Sequence, residues 1–143
     1  MNPRRLWLAG ILALTLASCG GGEPEILPFR ILTKDLQAWA PSTYVFRDEA
    51  SWRNAWTTRP GPPSSIPPPE VDFDRELVVG VSLGSASSSD SLQPLEVRRD
   101  GGVVTVAYRR VFTGGLGPAD ILPLDFFLAI PRPADSVQFM AVQ

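Results

Sequence analysis

Four segments of this chain carry residues whose types and spacing could do chemistry, and two absences decide most of what that chemistry is. The chain has no histidine, and Cys19 is its one cysteine. Disulfides within the chain, Cys/His zinc sites, Ser-His-Asp triads and Cys-His pairs are thereby excluded. Carboxylate chemistry, a Ser-Lys pair and oxygen-ligated calcium survive. Asp72, Asp74 and Glu76 stand at every second position, so an extended strand entry would turn three carboxylates to one side, as a calcium site requires. The spacing and glycine of an EF-hand are absent, so a solvated strand start is expected and no metal or cofactor is assigned. Gly84 to Ser91 is rich in serine, but the only lysine, Lys34, is remote in sequence, so an exposed polar loop is expected and no nucleophile. Phe112 to Pro118 is rich in glycine and does not lead from a strand into a helix, which excludes a phosphate cradle. Loops held on a rigid sheet are where binding residues tend to sit. The candidate partner-contact residues are therefore Gly84, Ser88 and Asp90 in the first loop and Phe112, Gly115 and Leu116 in the second, with no catalytic residue among them.

The remaining segment is the N-terminus. Asn2-Pro3-Arg4-Arg5 is a short positive start, and Leu6 to Leu16 is an apolar run of eleven residues interrupted only by Gly10 and Thr15. That run is too short to cross ~30 Å of hydrocarbon as a permanent helix and fits the core of an export signal. Leu16-Ala17-Ser18-Cys19 resembles the lipobox read by lipoprotein signal peptidase. The resemblance implies a diacylglyceryl thioether on Cys19, cleavage before it, and a stable anchor, because two or three acyl chains hold far better than one. Gly20-Gly21-Gly22-Glu23-Pro24 follows as a flexible tether. No Asp follows Cys19, which favours the outer membrane or cell surface within the cell envelope.

These residues need elements to position them. Removing residues 1–18 leaves enough chain for one core and too little for two. With 13 basic and 15 acidic residues overall, and Arg4 and Arg5 removed with the signal, the domain from residue 26 to 143 is mildly acidic and unsuited to nucleic acid. Ile26 to Lys34 predicts a first strand, with Pro28 marking it as an edge. Tyr44-Val45-Phe46 predicts a second. Asp48 then caps a helix over Glu49 to Thr57, in which Trp52 and Trp56, four apart, share a core face. Six of the ten residues from Pro60 to Pro69 are proline, predicting an extended surface connection. Leu77 to Leu83 is nearly all apolar, as a central strand is. Leu95 to Arg98 alternates, Asp100-Gly101-Gly102 supplies a tight turn, and Val104, Val106 and Tyr108 form one face of the next strand. Pro123 to Ile130 and Val137 to Val142 complete the set. The expected fold is a small α+β or mostly β domain, a sequential antiparallel sheet that is either open or partly closed as a barrel, with one short helix near its start.

From Tyr44 onward the sequence resembles the C-terminal domain of the PrcB lipoproteins, accessory subunits of a surface protease complex. The matching pieces are Ser51-Trp52-Arg53-Asn54-Ala55-Trp56, the proline-rich loop, Val71-Asp72-Phe73-Asp74-Arg75-Glu76-Leu77-Val78-Val79, Leu83-Gly84, and the strands through Val97, Val104 to Tyr108 and Pro123 to Pro131. Ser88-Ser89-Asp90-Ser91 departs from the family, which places a Gly-Tyr turn there. The resemblance implies a non-catalytic accessory role toward an envelope or secreted protease and supplies no catalytic residues. A protease inhibitor and a structural envelope lipoprotein without a protease partner are the alternatives.

Overall fold

A computed structural model describes residues 22–36, 39–60, 65–87, 90–112, 114 and 121–143. In chain order its elements are β1 (Glu25–Leu27), β2 (Arg30–Lys34), β3 (Ser42–Phe46), α1 (Glu49–Thr58), β4 (Glu76–Ser87), β5 (Asp90–Asp100), β6 (Val103–Phe112), β7 (Ile121–Pro131) and β8 (Ser136–Ala141). They form two four-stranded sheets, ordered β1-β5-β6-β8 and β2-β7-β4-β3. The architecture is mostly β, with a single short helix among the described residues, and neither sheet closes into a barrel.

The sheets face each other across one apolar core. Leu92, Val97, Val104 and Val106 come from the first sheet, and Leu77, Val79, Leu124, Phe126, Leu128 and Ile130 from the second. The second sheet is covered on its other face as well. There Val78 and Phe127 pack with Trp39, Trp52 and Trp56, the last two from α1. This double burial explains why β4 and β7 read as continuous apolar runs, whereas β5 and β6, open to water on one side, alternate.

Three expectations need correction. Ile26 to Lys34 is two strands in different sheets: β1 pairs with β5 and β2 with β7. Pro28 has no N–H for a ladder, and Phe29 beside it packs on the inter-sheet core as the chain crosses. The sheets are not wholly antiparallel, because β8 runs parallel to β6. The chain leaves β7 in the second sheet, returns to the first, and takes the edge that β5 leaves free. Finally, the alternation through Leu95 is broken. A register shift between Pro94 and Glu96 leaves Leu95 exposed, so Leu92 and Val97 are the inward positions.

The helix forms as expected. Asp48 accepts a hydrogen bond from the Ser51 N–H at 2.8 Å, and Glu49 in the first turn pairs with Arg53 at 2.7 Å. Trp52 and Trp56 are almost wholly buried. Asp100 lies opposite Val103 across Gly101 and Gly102, and Gly101 takes a positive φ of 60°, a conformation that suits glycine.

Candidate functional site

The strand ends that flank the two candidate loops lie at one end of the molecule. β4 ends at Ser87 opposite Ile121, the first residue of β7, and β5 begins at Asp90 opposite Phe112, the last residue of β6. Four strand ends are thus gathered there, two from each sheet. The opposite end holds the Gly101-Gly102 turn and the start of β1, where Glu25 pairs with Arg99.

The strands at the loop end run further than the sequence suggests. Gly84 and Ser85 belong to β4, and Asp90 and Ser91 to β5, so most of the expected serine loop is ladder. Gly84 sits where the β4–β7 register shifts, between Ser82 and Ser85, with φ of 81°. Its N–H donates to the Ser82 hydroxyl at 3.0 Å, and that hydroxyl donates to the Trp39 carbonyl at 3.0 Å. Gly84 is thus a bulge glycine within β4. Asp90 is a strand residue whose carboxylate is covered: Arg110 holds it in a two-pronged ion pair, with Nε at 2.9 Å, and its side chain is 6% exposed. Phe112 is 71% exposed at the tip of β6. Ser88, Gly115, Leu116 and Cys19 lie outside the described residues.

At the same end of the sandwich as Phe112, the structure adds two residues not expected from sequence. Ile121 and Leu122 open β7 and are 74% and 48% exposed. Leu122 follows the phase of Leu124 and Phe126, and Phe112 that of Val104 and Val106, so both point toward the space between the sheets but lie beyond its closed part. Their apolar character was legible. That they lie at the same end of the sandwich was not, because this depends on how β6 pairs with β5 and β7 with β4.

Two further features were missed. A cleft of about 420 Å³ opens between α1, the end of the proline-rich segment and the start of β4, lined by Arg30, Trp52, Arg53, Glu70, Asp72 and Glu76 among others. Of the three carboxylates expected along a strand entry, Asp72 and Asp74 are instead in a turn and Glu76 opens β4. The Asp72 carbonyl accepts from the N–H groups of Arg75 and Glu76, and the Asp74 N–H donates to the Asp72 side chain at 3.2 Å. Glu76 is paired with Arg30 at 3.0 Å. Among the described residues no three His, Cys, Asp or Glu side chains are gathered as metal ligands. The second feature is Asp125, fully buried within β7 opposite Ser82. Burial and the negative charge of Asp125 together hold the Tyr44 phenol above its ordinary range. An aspartate inside an otherwise apolar run was the signal available in the sequence.

Among the described residues no helix is long and apolar enough to cross a membrane. No family model matches the chain, and no curated protein or solved structure is significantly similar to it.

Proposed function

We propose that this chain is a lipid-anchored, non-catalytic binding module of the cell envelope, that its partner is an envelope or secreted protease, and that the loop end is the face it presents. The observation that carries this reading is that Phe112, Ile121 and Leu122 are all exposed at one end of the sandwich, on the ends of long, well-paired strands, with Ile121 turned to the opposite face of β7 from Leu122. Apolar side chains on rigid elements lose little freedom on docking and are the kind of residue that anchors an interface. The place of the tether supports the same orientation. Cys19 stands six residues before Glu25, which begins β1 at the opposite end. About nine residues of β5 separate that end from Asp90, a distance of roughly 30 Å at strand rise. An anchor there turns the loop end away from the membrane.

The protease partner rests on the sequence resemblance, and capture tests it. The full chain, tagged and expressed with its signal, is recovered from detergent-solubilised envelope and the co-purifying proteins are identified. A protease among them is expected. A partner list without one removes the protease and leaves the structural envelope role. With a protease in hand, its activity with and without the chain separates accessory subunit from inhibitor: retained or longer-lived activity marks the former, and lost activity the latter.

A further inference from the structure

We infer that the open edge of β8 is a strand-addition site that takes an extended, uncharged segment of a partner protein with apolar residues at alternate positions. This deepens the reading of the chain as a binding module and does not depend on the partner being a protease.

A sheet edge presents unpaired N–H and C=O groups, and proteins ordinarily blunt it with short length, proline, charge or a bulge. Among the described residues the two sheets have four edges. β1 is three residues long and lies between Pro24 and Pro28. β2 carries Arg30 and Lys34 at its ends and a register shift between Ile31 and Thr33. β3 is uncharged, but it is five residues long and confined between Pro41 and the Arg47-Asp48 pair. β8 has six residues in unbroken register with β6 and no proline or charged side chain within it, and Asp135 and Pro133 lie before its start. Among the described residues it is hydrogen-bonded to a neighbouring strand on one side only.

The core is also incompletely closed beside that edge. Val137 and Phe139 point inward from β8 and are only partly buried. Arg47, just after β3, donates to the carbonyls of Ala134 and Asp135, just before β8, at 2.6 and 3.1 Å. The β3 and β8 edges therefore lie on the same side of the sandwich. Val45 of β3 faces inward with its cross-strand partner Val79 yet is 37% exposed. A strand added to β8 would satisfy the backbone of the edge and lay alternate side chains over Phe139, Val137 and Val45. The chemistry of the occupant follows: main-chain bonds supply affinity, and apolar residues two apart supply the fit. A second copy of this chain is disfavoured as occupant. Two-fold pairing of β8 with itself reverses the strand direction and sends the two tethers to opposite ends of the pair.

The test uses the 15N-labelled chain after signal removal and an end-blocked hexapeptide of alternating valine and threonine, with a backbone N-methylated version as control. The hexapeptide is expected to slow hydrogen exchange at alternate amides of residues 136–141 about tenfold, and the N-methylated peptide to have no effect. Gln138→Lys places a charge on the edge at an exposed position, so it is expected to abolish the protection while leaving the melting temperature unchanged. The proposal is overturned by unchanged exchange with the hexapeptide, by equal protection in Gln138→Lys, or by a free chain that sediments as a dimer with those amides already protected. Envelope capture keeps the two readings apart. Equal recovery of a partner by wild type and Gln138→Lys sinks the edge and leaves the binding module. Protection by the hexapeptide with nothing captured sinks the module and leaves the edge.

Discussion

At residue scale, glycine and carboxylate positions that look like binding chemistry in a linear reading are occupied with holding the chain in shape. Gly84 is the clearest case. Its φ of 81° and the Pro41 ring, 3.1 Å from where a Cβ would stand, make Gly84→Ala cost about 1–2 kcal/mol. Thermal melting is expected to show that loss, while partner capture by the folded variant stays unchanged. Lost capture at full stability would return Gly84 to the interface. Gly80→Ala is expected to be worse, because a Cβ there falls 2.3 Å from the Phe127 ring and the tightly packed ring has to move. Asp48 gives a pH dependence with a defined sign. Hydrogen bonds from Ser51 to its carboxylate hold its pKa below the ordinary value. Stability from the ionised cap is present above the unfolded-state value and is lost as pH falls through the depressed folded one. Asp48→Asn, which caps without ionising, is expected to flatten that part of the acid limb of a melting-temperature profile; an unchanged limb would assign the loss to other carboxylates.

At the scale of elements, α1 and the proline-rich segment form one unit. The Trp52 indole N–H donates to the Pro69 carbonyl at 3.2 Å, and the Trp56 indole N–H to the Ile66 carbonyl at 3.0 Å. The acceptors are three apart, the repeat of a polyproline helix. Trp52 also lies parallel to Trp39, with ring centroids 6.1 Å apart. The indoles therefore fill the core with their rings and fasten the connection with their N–H groups. Two mutations separate these roles. Trp→Ala at either position is expected to cost about 3–5 kcal/mol, much of the ~5–15 kcal/mol a domain has. Trp→Phe keeps a ring and removes the donor, at a cost of roughly 0.5–1.5 kcal/mol. In the Phe variants, amide exchange and proteolysis are expected to quicken around residues 65–70 before the rest of the domain. Uniform loosening would mean that the indole bonds matter no more there than elsewhere.

At the scale of the whole molecule, the feature that matters is the placement along the strand axis, with the entry to β1 at one end and Phe112, Ile121 and Leu122 at the other. The double variant Phe112→Ala, Leu122→Ala removes side chains that are 71% and 48% exposed. Its stability is expected to stay within about 0.5 kcal/mol of wild type, while affinity for the captured partner falls by tenfold or more, as for anchor residues. An equal loss of stability and binding would make these residues part of the core, and unchanged binding would move the interface elsewhere.

What the sequence by itself determined is what local chemistry controls. The missing histidine and the single cysteine set the limits on chemistry, and the spacing of Trp52 and Trp56 with Asp48 before them specified a capped, one-faced helix. The Asp100-Gly101-Gly102 turn and the apolar runs of β4 and β7 were legible because turn residues and burial leave marks within a few positions. Tertiary structure alone decided which sheet each strand joined. Ile26 to Lys34 looks like one strand because two short strands in succession share an apolar composition, and only their partners, β5 and β7, separate them. The serine-rich segment looks like a loop because polar residues mark solvent exposure. Gly84 to Ser87 and Asp90 to Ser91 extend the ladder nonetheless, because a backbone pairs irrespective of its side chains when a long neighbour lies alongside. The placing of Phe112, Ile121 and Leu122 at one end, and the edge position of β8, follow from strand order. Pairing between distant segments is a property of the assembled core, where inward side chains from both sheets must fit at once, and no local pattern encodes it.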